Sequence, residues 1–135
     1  MASDNPPVVR TRFLVISDTH GFRYLPETKP VEPIDVVIHC GDITGSSQLA
    51  EFQAAIQLLH QIPAPLKLII PGNHDFTLDE PAYRHLLHKS RKRRSFPDML
   101  RSHGQLGDAR RLFDEAAKHN TSESTVLYLD EGTRT

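Results

Sequence analysis

Cysteine is nearly absent from this sequence, in which Cys40 is the single thiol among 135 residues. One thiol excludes an internal disulfide and also excludes a zinc site built from several cysteines. A chain without disulfides is compatible with a reducing compartment, and we therefore expect a cytoplasmic location.

An excess of charge of either sign is also lacking, because 16 basic residues face 17 acidic ones and the formal net charge is -1. No overall field therefore attracts the chain to nucleic acid or to anionic lipid. No apolar run is long enough to span a membrane, and the first residues are prolines and polar residues rather than the apolar segment of a signal peptide. We expect a small-molecule partner, no nucleic acid and no membrane.

The length of the chain fits one domain that can bury a core of its own. Residues 1–11 include Asp4, Asn5, Pro6 and Pro7, which offer little to pack, so a flexible lead-in is expected there. The ordered domain is predicted over residues 12–135.

Three short apolar runs, over residues 13–16, 34–38 and 66–70, are each followed at once by a polar turn. Residues 13–16 form a continuous apolar run, which is typical of a strand that is covered on both faces, whereas Asp35 and Lys67 interrupt the other two runs. The sequence therefore predicts three buried strands that all end in polar loops.

A helix is predicted between the second and third of these strands. Its start is expected at Ser46 or Ser47, which are favourable N-cap types, and Pro63 and Pro65 end it. Strand, helix and strand in this order form a βαβ unit with parallel strands, so the fold class is α/β with a mainly parallel sheet. The apolar stripe of the helix has spacings of three and four residues: Leu49, Phe52, Ile56 and Leu59.

The remaining segments are assigned from their turn residues and their periodicity. Residues 22–33 contain three prolines and no helical period, which indicates a loop that could form a wall of a site. Helices are predicted over residues 79–89 and 108–118, and a fourth strand over residues 125–129. A basic cluster between these two helices is predicted to be a solvated loop, since no aromatic residue interrupts it: Arg91, Lys92, Arg93 and Arg94.

Side chains that can bind metal follow each of the first three predicted strands. Asp18 and His20 follow the first, Asp42 follows the second, and Asn73 and His74 follow the third. Because the carboxyl ends of parallel strands meet at one edge of a sheet, these groups are expected to converge. Converging carboxylates repel unless a cation lies between them, and mixed oxygen and imidazole donors suit manganese, iron or zinc. Each motif alone could equally be a turn that satisfies local amides, so the three together carry the hypothesis of a metal site.

Local backbone geometry supports a shared ion. In an extended backbone the side chains of Asp18 and His20 point to the same side, so that both can reach one ion. Asp42 is central enough to bridge two ions, and Gly41 and Gly72 allow the backbone to turn sharply beside them.

At these positions the sequence resembles the calcineurin-like metallophosphoesterases, and within them the metallophosphoesterase-domain branch that is similar to class III cyclic-nucleotide phosphodiesterases. The resemblance covers residues 12–79 well and the remainder loosely. It implies a two-sheet αββα sandwich, of which this chain represents the N-terminal part with mainly the first sheet. Three motifs carry the resemblance: Ser17, Asp18, Thr19, His20, Gly21, then Cys40, Gly41, Asp42, Ile43, Thr44, then Pro71, Gly72, Asn73, His74, Asp75.

The resemblance implies a role for each of the polar residues in these motifs. Asp18 and His20 would bind the first metal ion, Asp42 would bridge both ions, and Asn73 would bind the second. His74 would donate a proton to the leaving group.

The implied activity is metal-dependent hydrolysis of phosphodiesters or nucleotides. In the family a metal-bound hydroxide attacks phosphorus in line, and two divalent ions of manganese, iron or zinc clamp the attacking and leaving oxygens. Asp75 is a further catalytic candidate, which either orients His74 or caps the following turn, and the sequence leaves both roles open.

Two later motifs of the family, a Gly-His pair and a Gly-x-His with a further histidine, do not follow the third motif in this chain. In the family they supply the remaining ligands of both ions, so this chain is expected to be a fragment, an incomplete gene model or a shortened paralogue. Two ions are expected for the family, and one or none is the alternative for this chain. The later histidines are predicted to be surface residues: His85, His88, His103 and His119.

The missing ligands leave a second function open. The chain is then a non-catalytic remnant that binds one metal ion or a nucleotide weakly and acts as an interaction module. A sheet face without its covering layer would also expose apolar surface, which favours self-association.

Overall fold

The computed structural model describes residues 5–21 and 32–130, and its centre is one parallel sheet. The strands follow each other across the sheet in chain order, and every neighbouring pair is parallel. The predicted α/β class with a parallel sheet is therefore confirmed. The four strands are β1 (Phe13–Ile16), β2 (Val36–His39), β3 (Leu66–Ile69) and β4 (Thr125–Tyr128).

Four helices accompany the sheet in the described part of the chain. A short 3-10 turn, Phe76–Leu78, precedes the second of them. The first and last helices pack against each other, and the last also packs on β4. The helices are α1 (Leu49–Gln61), α2 (Glu80–Ser90), α3 (Phe96–His103) and α4 (Asp108–Ala117).

Helix α1 begins later than predicted, because its N-cap is Gln48 rather than Ser46 or Ser47. The Glu51 carboxylate accepts hydrogen bonds from the backbone N–H groups of Gly45, Ser46 and Gln48 at 2.9, 3.2 and 3.0 Å. These bonds fold the preceding residues into a loop in front of the helix, so the two serines lie outside it.

Helix α3 was not predicted, although its ends carry recognisable signals. Ser95 precedes it, Pro97 lies in its first turn, and Gly104 follows it with a φ of 77°. The basic residues 91–94 before it are all exposed and form turns, which confirms the predicted solvated loop.

The predicted loop over residues 22–33 lies almost entirely outside the described residues, as do residues 1–4 of the predicted lead-in. The division into a lead-in and one domain therefore stays a prediction. None of the helices in the described ranges combines the length and the apolar character that a membrane crossing needs.

The core lies on one face of the sheet, between the strands and helices α1 and α4. Val37, Ile69 and Val126 from the strands are at most 2% exposed, and they meet Phe52 of α1 and Phe113 of α4 in one cluster. Burial of this apolar surface supplies the main stabilisation of the fold.

The opposite face of the sheet is much less covered. Phe13 and Val15 of β1 remain 59% and 60% exposed, and Ile70 is 40% exposed. The prediction that the first strand is covered on both faces is therefore wrong for the described residues, because β1 is an edge strand and the helices pack on the other side. Self-association through this face stays a prediction.

Candidate metal centre

The loops that follow β1 and β2 are joined by backbone hydrogen bonds beyond the ends of the strands. The N–H groups of Asp18, His20 and Gly21 donate to the carbonyls of Gly41, Asp42 and Ile43 at 3.0, 3.0 and 2.7 Å. This ladder holds the first two polar motifs side by side at the carboxyl edge of the sheet, where α/β folds place their ligands.

Three of the predicted site residues meet at this edge. His20, Asp42 and His74 each offer one ligand atom, and these atoms all lie within 4.8 Å of one another. The two imidazole rings are also in edge-to-face contact, with centroids 4.7 Å apart. Each of the three residues comes from a different loop, so the cluster forms only when β1, β2 and β3 are aligned.

Both imidazoles in this cluster are oriented by backbone carbonyls. Nδ1 of His20 lies 3.2 Å from the Thr44 carbonyl oxygen, and Nδ1 of His74 lies 2.8 Å from that of Gly45. A carbonyl only accepts, so each Nδ1 carries the proton and each neutral ring keeps its lone pair on Nε2. Metal-binding histidines in proteins are held in the same way through their second nitrogen.

The loops after β2 and β3 approach each other at Gly72. A Cβ on Gly72 would lie 2.1 Å from the Asp42 carboxylate oxygen Oδ1 and 2.3 Å from the Asp42 nitrogen, which is too close for any side chain. The His74 N–H also donates to Oδ1 of Asp42 at 2.9 Å. Gly72 is therefore needed for close approach, whereas Gly41, with a φ of 103°, is needed for its backbone conformation.

Left-handed backbone conformations are concentrated at the candidate ligands. Among the described residues four that are not glycine have a positive φ, and three of these are Asp18 at 55°, His20 at 47° and Asp42 at 51°. Such a conformation costs about 1–2 kcal/mol per residue and persists only where the surroundings enforce it. The sequence predicted an extended backbone at Asp18 and His20, and this prediction is wrong. Both side chains nevertheless reach the same edge of the sheet.

The other two predicted ligands lie at the margin of the cluster. Asp18 is exposed, and its carboxylate lies 3.8 Å from Nε2 of His20 and accepts a hydrogen bond from the Ser17 hydroxyl. Asn73 is exposed on the turn before His74, and its amide makes no hydrogen bond with the described residues. The geometry thus groups His20, Asp42 and His74, with Asp18 beside them.

Asp75 has a different environment from the other candidates because it is buried, with 1% of its surface exposed. Its carboxylate accepts hydrogen bonds from the N–H groups of Ile43, Thr44 and Gly72 at 3.1, 2.9 and 2.9 Å, and from the Thr44 hydroxyl at 2.8 Å. Within the described structure it neither bonds the His74 ring nor caps the 3-10 turn with its side chain. Asp75 ties the loop after β2 to the loop after β3.

His39 at the end of β2 contacts both of the loops that carry the first two motifs. The Gly41 N–H donates to its Nδ1 at 3.2 Å, so the proton lies on Nε2, which donates to the Thr19 hydroxyl at 2.8 Å. Burial lowers the pKa of His39 in spite of the nearby carboxylates of Asp75, Asp18 and Asp42, so the ring is neutral. Position 39 precedes a Gly-Asp pair at a strand end, which is the sequence signal for such a contact.

The electrostatic environment of His74 differs from that of His39. The hydrogen bond to the Gly45 carbonyl raises the pKa of His74, and the carboxylates of Asp42, Asp75 and Asp18 add to this effect.

The later histidines agree with their prediction as surface residues at three positions, because His85, His88 and His119 are exposed. His103 is half-buried instead, since its Nε2 lies 2.9 Å from the Ser46 carbonyl oxygen.

This chain has a parallel α/β sheet with two imidazoles and a carboxylate at its carboxyl edge. The fold and the candidate site are those of the α/β proteins that hold a metal ion at this edge. The sequence agrees with this class more narrowly, because residues 11–114 match the calcineurin-like phosphoesterase family. The chain belongs to that family.

Individual relatives match a shorter part of the chain. Metallophosphoesterase domain-containing protein 1 from Homo sapiens and its counterpart from Mus musculus are each 38% identical over 72 residues, which are 52% of this chain and 21% of the relative. A protein named "Probable rhamnogalacturonate lyase C" from Emericella nidulans is 37% identical over 75 residues, 55% of this chain and 7% of that protein. The matched region thus spans about a fifth of the length of the first two relatives.

Proposed function

We propose that the chain is a metal-dependent phosphoester hydrolase that acts on phosphodiesters or nucleotides through a dinuclear metal centre. The observation that carries this proposal is the cluster of His20, Asp42 and His74, whose ligand atoms lie within 4.8 Å of one another. Family membership supports the same chemistry. The cytoplasmic location expected from the single cysteine is part of the same proposal.

The donor set of this cluster fits a borderline divalent cation. The imidazole of His20, whose Nδ1 is fixed on a carbonyl, presents a lone pair on Nε2, and the Asp42 carboxylate supplies negative charge. Manganese, iron and zinc accept such mixed nitrogen and oxygen ligands. A divalent ion at this place would polarise a phosphoryl oxygen and lower the pKa of a bound water molecule.

The residues of this chain divide the work around the site. We assign His20 and Asp42 to holding an ion, and Asp18 to the same ion because its carboxylate approaches Nε2 of His20. Asn73 is assigned to a second ion, which Asp42 bridges. His74 is assigned to donating a proton to the leaving group from Nε2 of its protonated ring, a form that the Nδ1 hydrogen bond to Gly45 favours by raising the pKa.

The second candidate function is a non-catalytic module that binds one ion. It is favoured by the exposed position of Asn73, whose amide has no partner among the described residues, so that nothing in them fixes it for a second ion. Asp75, which the sequence made a catalytic candidate, supports the module equally well, because the hydrogen bonds that its carboxylate accepts from described residues come from the loops after β2 and β3.

The experiment measures bound manganese per chain and hydrolysis of an aryl phosphodiester by the same sample. Asp42→Asn removes the central carboxylate charge, and Asp114→Asn on α4 is the matched control, because it removes a surface carboxylate that is paired with Arg110. We expect metal binding and turnover to be lost in Asp42→Asn and kept in Asp114→Asn. Bound metal without turnover in the unchanged chain would establish the module instead, and turnover that survives Asp42→Asn would exclude the site.

A further inference from the structure

A second candidate site lies at the opposite end of the strands, away from the metal cluster. A groove of about 290 Å³ opens there beside the starts of β3 and β4. Its apolar wall is formed by residues 62–65, which connect α1 to β3. Its polar lining consists of His60, Lys67, Glu123 and Ser124.

Lys67 is the unusual member of this lining because it is a cation in the core. It lies on the helix-covered face of β3, in register with Val37 and Val126, and only 1% of its surface is exposed. Its Nζ donates to the Ser124 hydroxyl at 3.1 Å. No carboxylate of the described residues lies within 4.0 Å of it, and Ser124 is its one hydrogen-bond partner among them, so two of its three donors lack a partner there.

The charges around Lys67 favour an anion rather than a cation. His60 lines the groove, and burial together with the nearby charges of Lys67 and His119 lowers the pKa of His60. Glu123 also lines the groove, but it is exposed, so solvent screens its charge. Burial lowers the pKa of Lys67 itself, in keeping with the lack of an anionic partner near its ammonium among the described residues.

We propose that this groove binds a small oxyanion such as inorganic phosphate, with Nζ of Lys67 and the hydroxyl of Ser124 as its two donors. The ammonium gains a charge-assisted hydrogen bond, which is about twice as strong as a neutral one. The Ser124 hydroxyl can rotate to donate to the anion while its oxygen still accepts from Nζ. The wall of residues 62–65 limits the space to a small ligand or to one with an apolar body.

The alternative is that Lys67 is only a packing residue whose stem fills the core and whose ammonium rests on Ser124. Lysine side chains often bury their aliphatic stem in this way while the charged head stays near the surface. The two interpretations differ in one measurable property, which is saturable anion binding that depends on Lys67.

Calorimetric titration of chelator-treated protein with inorganic phosphate tests the proposal. Removing metal ions keeps the cluster at the other edge of the sheet out of the measurement, so the result does not depend on the proposed hydrolase function. We expect saturable binding in the unchanged chain and in Asp42→Asn, and binding at least tenfold weaker in Lys67→Met. Lys67→Met keeps an unbranched apolar side chain of similar length, and Ser124→Ala on the half-buried rim is a second variant, expected to weaken binding several-fold.

Four results would overturn the proposal. The first is the absence of saturable phosphate binding in the folded, unchanged chain. The second is phosphate binding in Lys67→Met and Ser124→Ala that is as tight as in the unchanged chain. The third is a calorimetric response to sodium chloride equal to the response to phosphate at matched ionic strength, which would indicate general screening. Loss of binding in Asp42→Asn alone would assign the anion to the metal cluster and also refute the groove.

Discussion

Asp75 and Lys67 are equally buried, each with 1% of its surface exposed, but they lie at opposite ends of the sheet with very different partners. The Asp75 carboxylate accepts hydrogen bonds from three backbone N–H groups and one hydroxyl. The Lys67 ammonium donates to one serine hydroxyl among the described residues. Burying a charge costs several kcal/mol in desolvation. The four hydrogen bonds of Asp75 offset this cost, whereas the one hydrogen bond that Lys67 makes with the described residues offsets little of it.

The difference separates two ways in which a buried charge can serve a protein. At the carboxyl edge the Asp75 carboxylate holds two loops together. It accepts hydrogen bonds from Ile43 and Thr44 in the loop after β2 and from Gly72 in the loop after β3. At the amino edge the Lys67 ammonium bonds one hydroxyl among the described residues and borders the groove in which we propose that an anion binds. Stability should therefore depend strongly on the first residue and weakly on the second.

The largest effect is predicted for Asp75→Asn. The side-chain NH2 of asparagine cannot accept from the backbone N–H groups that now donate to Oδ2, so buried donors lose their partners. We expect a loss of about 3 kcal/mol or more in the free energy of unfolding, from an order-of-magnitude cost of 1–3 kcal/mol per unsatisfied buried group. Urea denaturation followed by circular dichroism measures this loss.

Asp79→Asn is the matched control for that substitution. Asp79 also accepts a backbone N–H, that of Ala82 at 3.0 Å, but it is exposed at the N-cap of α2, where asparagine serves nearly as well. A loss in Asp79→Asn equal to that in Asp75→Asn would show that the burial of Asp75 does not matter.

The next effect is predicted for Gly72→Ala, which acts on one of the donors to Asp75. The new Cβ would lie 2.3 Å from the backbone nitrogen of Asp42, so the two loops must separate. We expect a loss of about 2 kcal/mol, within the range for overpacked sites, together with weaker manganese binding because Asp42 moves. Gly45→Ala is the control, since its nearest neighbour would be the Glu51 carboxylate at 3.3 Å, and comparable losses in both variants would contradict the role of close approach.

A smaller loss of stability is predicted for Glu51→Gln. Glu51 is a half-buried carboxylate and can be compared with the fully buried Asp75. Burial raises the pKa of Glu51, but the combined hydrogen bonds from Gln48, Gly45 and Ser46 outweigh it, so the pKa lies below its usual 4.5. Its stabilisation is therefore complete above pH 4.5 and disappears as the pH falls through the lowered value. We expect the variant to be less stable by about 1 kcal/mol at pH 7, and equal stability differences at pH 7 and pH 3 would contradict this.

The sequence predicted those parts of the molecule that depend on local patterns. The strands and their shared edge were predicted from apolar runs that stop at Ser17, His39 and Pro71. The parallel order of the strands brings Asp42 and His74 together. The contacts that set the roles of residues were not predictable, because they join distant segments. The bonds of Asp75 cross 31 or 32 positions, and the shielding of Lys67 depends on how α1 and β4 pack around it.

The smallest effect is predicted for Lys67→Met, and its sign is opposite to the others. The folded chain holds the pKa of Lys67 below 10.5, so it binds fewer protons than the unfolded chain between the two values, and its stability rises with pH in that interval. Methionine has no such penalty, and replacing poorly compensated buried charges with apolar groups is often neutral or stabilising. We expect Lys67→Met to be up to about 1 kcal/mol more stable at pH 7, with the advantage shrinking as the pH approaches 10.5. Chemical denaturation of both chains at pH 7, 9 and 10 measures the difference, and a variant that is less stable at pH 7 would show that the ammonium contributes to the fold after all.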